Sequence, residues 1–224
     1  MLCIVQSRMS SKRLPGKALL KINKEPILQR IIKNLKYSNR IDKIIVATSN
    51  KSSDLPIISF CKKKKINFFA GELSNVAKRY KDILENNNFQ YFLRISGDSP
   101  LVDYKLIDLM IKKFMTKKFD IVTNILERSY PKGQSIEILK SKIFIANYKK
   151  IKKNKFYKEH VTPYFYDNYS KFKIFNFKSK KDFSSINLSI DTPKDLKKIK
   201  KLVKLMNIKK ITGWKKIAIN YKNI

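Results

Sequence analysis

Two cysteines, Cys3 and Cys61, are all that 224 residues contain. Both sit in apolar stretches and do not make a disulfide framework, so a reducing, cytoplasmic setting is expected. No run approaches the roughly 18 apolar residues that span a bilayer, and no basic stretch leads into an apolar one at the start. Neither membrane insertion nor export is therefore expected. Internal repeats and Gly/Ser-rich or Pro-rich linkers are missing too, and a hydrophobic content of 43% suits one large core rather than disorder. Acidic residues are scarce: 17 Asp and Glu against 51 Lys and Arg leave a net charge of +34, which brings nucleic acid or another polyanion into consideration. Arginine, however, accounts for only seven of the cations, and the lysines are spread over nearly every segment. That diffuse pattern lacks the clustered Arg and interleaved aromatics of a nucleic-acid surface. No specific nucleic-acid partner is expected, and the few Arg become the informative positions.

What is present is an alternation of short apolar runs with amphipathic stretches. Residues 2–5, 43–48, 66–69 and 90–95 read as strands, and 26–36, about 54–64, 75–87 and 104–117 as helices. The helix over 26–36 places Ile27, Leu28, Ile31, Ile32 and Leu35 on one face. This rhythm predicts an α/β fold, a mostly parallel sheet with helices on both sides. Beyond residue 120 it loosens into strand-like 119–124, a loop through Pro131 and Gly133, strand-like 135–139, a helix from Ser141, and strands near 172–177 and 186–190. Asp191-Thr192-Pro193 then opens a helix, a capping residue ahead of proline at the first helical position. The loosening suggests an insert at about 125–170 within a domain spanning 1–206. The basic tail 207–224 reads as a poorly specified end.

The first strand runs into "QSRMSSKRLPGK", residues 6–17. A cationic turn at the carboxyl edge of a parallel sheet is where α/β proteins place ligands. Phosphate is the natural one, cradled by backbone N–H groups while Arg8, Arg13 and Lys17 add charge. The loop is not a Walker A motif, which needs Gly where Ser11 stands, nor a dinucleotide fingerprint, since Gly16 is its only glycine. On charge alone, a solvated basic turn is the other reading. Asp98 and Asp191 follow the strands at 90–95 and 186–190 and should reach the same edge, where two carboxylates suffice for a Mg²⁺ that keeps several waters. Alternatively, Asp98 is a turn residue in Gly-Asp-Ser-Pro and Asp191 a helix N-cap. Asp103 reads as the cap of the helix at 104–117.

"SRMSSKRLPGKAL" at 7–19 resembles the signature of the cytidylyltransferase family that includes CMP-Kdo and CMP-acylneuraminate synthetases, and most resembles its spore-coat-polysaccharide branch. "VATS" at 46–49, "NVAKRY" at 75–80, "RISGDSPLVD" at 94–103, "EHVTPYFY" at 159–166 and "SIDTPKDL" at 189–196 resemble further family blocks in the family's order. The resemblance implies a three-layer α/β/α nucleotide-diphospho-sugar transferase (Rossmann-like) fold with a small dimerisation insert, hence a homodimer. It implies a Mg²⁺-dependent reaction in which the anomeric hydroxyl of a small acidic sugar attacks the α-phosphorus of CTP, giving a CMP-sugar and pyrophosphate for surface polysaccharide. By position it implies Arg8, Lys17 and Asp98 as catalytic and Asp98 with Asp191 as metal ligands. Nucleotide contacts would come from Arg8, Ser10, Arg13, Lys17, Ser49, Arg79, Arg94 and Ser96, and sugar contacts from Gln134, Glu137 and His160. The residues alone leave Arg79 open as a charge on a helix face and His160 as a packing residue in an aromatic-rich stretch. A sugar-1-phosphate nucleotidyltransferase would share the fold but would want further cations near Gln134, where only Lys132 stands. Ser135 replaces an acidic residue usual in the branch, and Ser96-Gly97-Asp98 stands where Kdo synthetases have Gln-Gly-Asp, so the sugar stays unassigned.

Overall fold

The apolar runs become strands in a computed structural model, which describes residues 1–116, 118–208 and 212–222. Strand β1 (Leu2–Gln6) is followed by a small antiparallel hairpin of β2 (Lys21–Ile22) and β3 (Glu25–Pro26), then α1 (Ile27–Leu35), β4 (Lys43–Ser49), α2 (Leu55–Lys63), β5 (Phe68–Gly71), α3 (Val76–Glu85) and β6 (Tyr91–Ser96). The chain continues through α4 (Tyr104–Phe114), β7 (Ile121–Thr123), β8 (Glu137–Lys140), α5 (Ser141–Ile151), α6 (Lys155–His160), α7 (Pro163–Asp167), β9 (Ile174–Asn176), α8 (Pro193–Leu205) and α9 (Trp214–Tyr221). Seven strands form one sheet in the order β5-β4-β1-β6-β8-β7-β9. Its pairs are parallel except those of β8, which runs antiparallel to both β6 and β7.

Alternation along β1 sends Cys3 and Val5 into one core and Leu2 and Ile4 into the other. The first core is closed by α1, α2, α4, α8 and α9, with all five apolar positions expected on the α1 face buried. The second is closed by α3, α5 and α7 through residues such as Tyr80, Phe144 and Phe165. The result is the expected three-layer α/β/α arrangement. Both cysteines are free and buried. Among the described residues, no helix is long and apolar enough to cross a membrane.

Details of the later part of the chain go beyond the sequence reading. Residues 186–190 are extended but not a strand: a single parallel bridge joins Asn187 to Lys132. Ile186, Leu188 and Ile190 are buried, so the alternation reported a core-facing segment. Its partner is a loop, which offers no ladder. The insert region at 125–170 supplies β8, a central strand of the main sheet, besides three helices. In the tail, 209–211 and 223–224 lie outside the described residues, but α9 is a packed helix, with Ile217 and Ala218 buried. The helix expected over 104–117 runs to Phe114, and residue 117 lies outside the described residues.

Candidate active site

Strand β1 is flanked by β4 on one side and β6 on the other, so the strand order reverses there, and the crevice outside the carboxyl ends at such a point is where this architecture binds ligands. The strand ends are drawn close. Ser7 N–H donates to Ala47 O at 3.0 Å and Gly97 N–H to Gln6 O at 2.8 Å. A Cβ on Gly97 would lie 2.6 Å from that same Gln6 oxygen, so only glycine permits the approach. Above them opens a cleft of about 370 Å³. Arg8, Arg13, Lys17 and Arg79 bring cations to it, Asp98 and Asp191 carboxylates, Ser96 a hydroxyl and His160 an imidazole.

The loop after β1 is held from below. Met9 N–H donates to Asp54 Oδ1 at 2.7 Å, and Gly16, at φ +72°, turns back to donate to Met9 O at 2.8 Å. Glycine tolerates that left-handed turn at little cost, and the next residue is Lys17. Its ammonium donates to Asp98 Oδ2 at 3.1 Å, Asp191 Oδ1 at 2.9 Å and Ile190 O at 3.0 Å. The two carboxylates are brought together by a backbone bond, Ile190 N–H to Asp98 O at 2.9 Å. Asp191 is not the helix cap. Thr192 caps α8 in a capping box with Asp195, which also accepts from the Asp191 N–H at 3.1 Å and leaves the Asp191 carboxylate free for Lys17 and Arg13. Asp103 caps α4 as expected.

Arg79 is almost completely buried, yet only its Nη1 has a partner, the Ala47 carbonyl at 3.4 Å; Nε and Nη2 have none. Burial pushes its guanidinium down from the usual value, opposed by Tyr80 and Asp54 and reinforced by Arg8. A buried cation with unused donors at a cleft wall favours an acceptor or anionic ligand. Arg79 is thus no solvated charge on a helix face. His160 is exposed, lines the cleft and stacks near Phe156, so it is not a core packing residue.

Other expected contacts point elsewhere. Ser49 is buried, its hydroxyl donating to Asp54. Arg94 pairs with Glu137 and donates to Gln6 Oε1 at 3.3 Å; burial works against its charge, but the Glu137 carboxylate outweighs this and holds the guanidinium above its usual range. Glu137 is itself buried and accepts from the Tyr166 hydroxyl at 2.6 Å. The Gln134 amide is spent within the fold, donating to Leu101 O at 2.6 Å and accepting from Asp103 N–H at 2.9 Å. Ser49, Arg94, Gln134 and Glu137 therefore brace the cleft without lining it, and Ser10 is exposed on the loop outside it.

Three residues escaped the sequence reading. Glu159 accepts from Arg8 Nη2 at 3.0 Å and ties the loop to α6; its only signal was its place beside His160 in "EHVTPYFY". Asp54, in a turn ahead of α2, and Tyr166, in the same block as His160, gave no signal that distinguished them from helix residues. Among the described residues no group of three or more His, Cys, Asp or Glu could hold a metal. Asp98 and Asp191 nevertheless reach one shared cation, Lys17.

Comparison with known proteins gives concordant findings. The profile of the family described as cytidylyltransferase matches residues 2–218. The chain is 35% identical to protein MJ1063 of Methanocaldococcus jannaschii, covering 87% of this chain and 79% of that one. It is 29% identical to the spore coat polysaccharide biosynthesis protein SpsF of Bacillus subtilis, over 90% and 85% of the two chains. A solved cytidylyltransferase from Leptospira borgpetersenii superposes with a TM-score of 0.91 at 28% identity, over 99% of this chain and 93% of that one.

Proposed function

The chain belongs to the cytidylyltransferase family, and from that premise we propose that it transfers the cytidylyl group of CTP, with Mg²⁺, to the anomeric hydroxyl of a small acidic sugar, releasing pyrophosphate for surface polysaccharide assembly. The observation that carries this reading is the meeting of loop cations with Asp98 and Asp191 at the crevice between β1 and β6. The block resemblance supplies the acidic sugar, and the similarity to the Bacillus protein the polysaccharide setting.

In this reaction negative charge gathers on the phosphoryl oxygens and on the departing pyrophosphate, so the protein's task is electrostatic. Arg8, Arg13 and Lys17, on one short loop, neutralise the triphosphate; Arg8 and Arg13 offer planar forks and Lys17 a point charge. Arg79, a buried cation in the cleft lining, adds positive charge on the nucleoside side, and Ser96 adds a hydroxyl. Asp98 and Asp191 would hold Mg²⁺, which supplies Lewis-acid stabilisation of the phosphoryl oxygens. His160, exposed and in the cleft lining, would accept the proton of the attacking hydroxyl. Gln134 and Glu137 serve the acceptor side indirectly, by fixing the loops around it.

The test is a thermal-shift panel of CTP, UTP, ATP and GTP, each with and without Mg²⁺, followed by pyrophosphate release with acidic sugars. A CTP-selective shift that needs Mg²⁺ is expected, and Asp98→Ala and Lys17→Ala should each lose about 10²- to 10³-fold in rate with the fold intact. Full activity in both variants, or equal shifts with all four nucleotides, would remove the reading.

A further inference from the structure

Lysine has three N–H donors and no acceptor, and on Lys17 all three are used, by Asp98 Oδ2, Asp191 Oδ1 and Ile190 O. The carboxylates are equally committed. The second oxygen of Asp191 faces Arg13 Nη2 at 3.3 Å, and that of Asp98 accepts from Ser99 Oγ at 3.1 Å. Every oxygen of the pair thus has a protein donor. The Lys17 side chain is only 14% exposed, so solvent and salt screen this cluster weakly. Two carboxylates this close repel unless a cation lies between them, and Lys17 is that cation.

We infer that Lys17 closes the cation site formed by Asp98 and Asp191 while the nucleotide is absent, so that a divalent cation enters only together with a triphosphate that takes over Lys17 and Arg13. This rests on the proposed role of the two aspartates. A divalent cation arriving alone would expel the ammonium from between the carboxylates and leave it buried, unpaired and beside a double positive charge. A triphosphate removes that penalty by offering oxygens to Lys17 and Arg13. The number of ion pairs is preserved and only their partners change. By linkage, whatever the triphosphate adds to cation affinity the cation returns to triphosphate affinity. Lys17 therefore has two posts, one between the carboxylates and one on the phosphates.

The experiment is Mn²⁺ binding without nucleotide, read from the electron paramagnetic resonance of the free ion, in wild type and in Lys17→Met, Lys17→Gln and Lys17→Arg. Removing a like charge at contact distance should tighten Mn²⁺ at least about ten-fold in the two neutral variants, whereas Lys17→Arg, which keeps the charge, should bind as wild type does. The gain should vanish when Asp98→Asn or Asp191→Asn is added. Neutral variants that bind Mn²⁺ no more tightly than wild type, with binding still dependent on both aspartates, would overturn the inference and leave the metal site standing. Mn²⁺ binding indifferent to both aspartates in every background would overturn the metal reading itself. Wild type provides an arm independent of variant folding: amine labelling of Lys17, followed by mass spectrometry, should be unchanged by saturating Mg²⁺ alone and altered by Mg²⁺ with CTP. A change with Mg²⁺ alone would also overturn the inference.

Discussion

Single residues show both what the sequence makes visible and what it hides. Lys17, Asp98 and Asp191 were legible because each stands beside a strand end or helix start that the apolar pattern locates, and their side chains meet as that placement implies. Ser49, Gln134 and Glu137, expected at the same site, turn inward instead. Their partners, Asp54, Leu101 with Asp103, and Arg94 with Tyr166, come from other segments of the fold, and no local pattern announces which polar group a buried acceptor will claim. Gly97 is a case where one hydrogen atom matters. Gly97→Ala would force the ends of β1 and β6 apart, because the new methyl meets the Gln6 backbone oxygen as well as the Ser7 Cβ, neither of which can swing away. The expected cost is about 1–3 kcal/mol in urea unfolding, with loss of the nucleotide-dependent thermal shift. A variant with wild-type stability and shift would show that the close approach is dispensable.

At the scale of elements, the second carboxylate, Asp191, stands just ahead of α8, and the start of that helix is held by Asp195. Burial opposes ionisation of Asp195, but hydrogen bonds from the Thr192 hydroxyl and from the Asp191 and Thr192 N–H groups, with Arg13 nearby, outweigh it and hold the carboxyl below its usual range. A depressed folded-state value means that the stabilisation is complete above the unfolded-chain value of about 3.9 and disappears as pH falls through the folded-state value. Asp195→Asn should cost about 1 kcal/mol at neutral pH and flatten the acid limb of a stability-against-pH curve measured by urea unfolding. An unchanged acid limb would assign that loss to other carboxylates. Helix faces and the parallel rhythm were readable from spacing, since burial on one side leaves a periodic trace. The extended segment at 186–190 leaves the same trace as a strand, and only its partner, a loop at Lys132, distinguishes the two.

At the scale of the whole molecule, the basic tail shows where composition misleads. Lysines around Trp214 suggested a solvated end, yet the Trp214 ring meets Tyr130 and Phe183 at 4.9 and 5.3 Å between centroids, and the backbone N–H of Trp214 donates to Asp103 Oδ2 at 2.9 Å. Deleting the chain from Gly213 onward should therefore cost about 3 kcal/mol or more, the scale of removing large buried side chains, and lower the urea midpoint although the net charge hardly changes. A midpoint equal to wild type would make α9 an ornament. The sheet order has a consequence for the chain as it is made. Strand β1 lies mid-sheet and must wait for both β4 and β6, and the cationic loop that follows it waits longer still, for the Asp191 that pairs Lys17 and Arg13. During synthesis, which proceeds from the amino end, the loop lacks that carboxylate until the segment carrying Asp191 has been made. Its pairing by Asp191 then waits until that distant segment has folded back onto the loop.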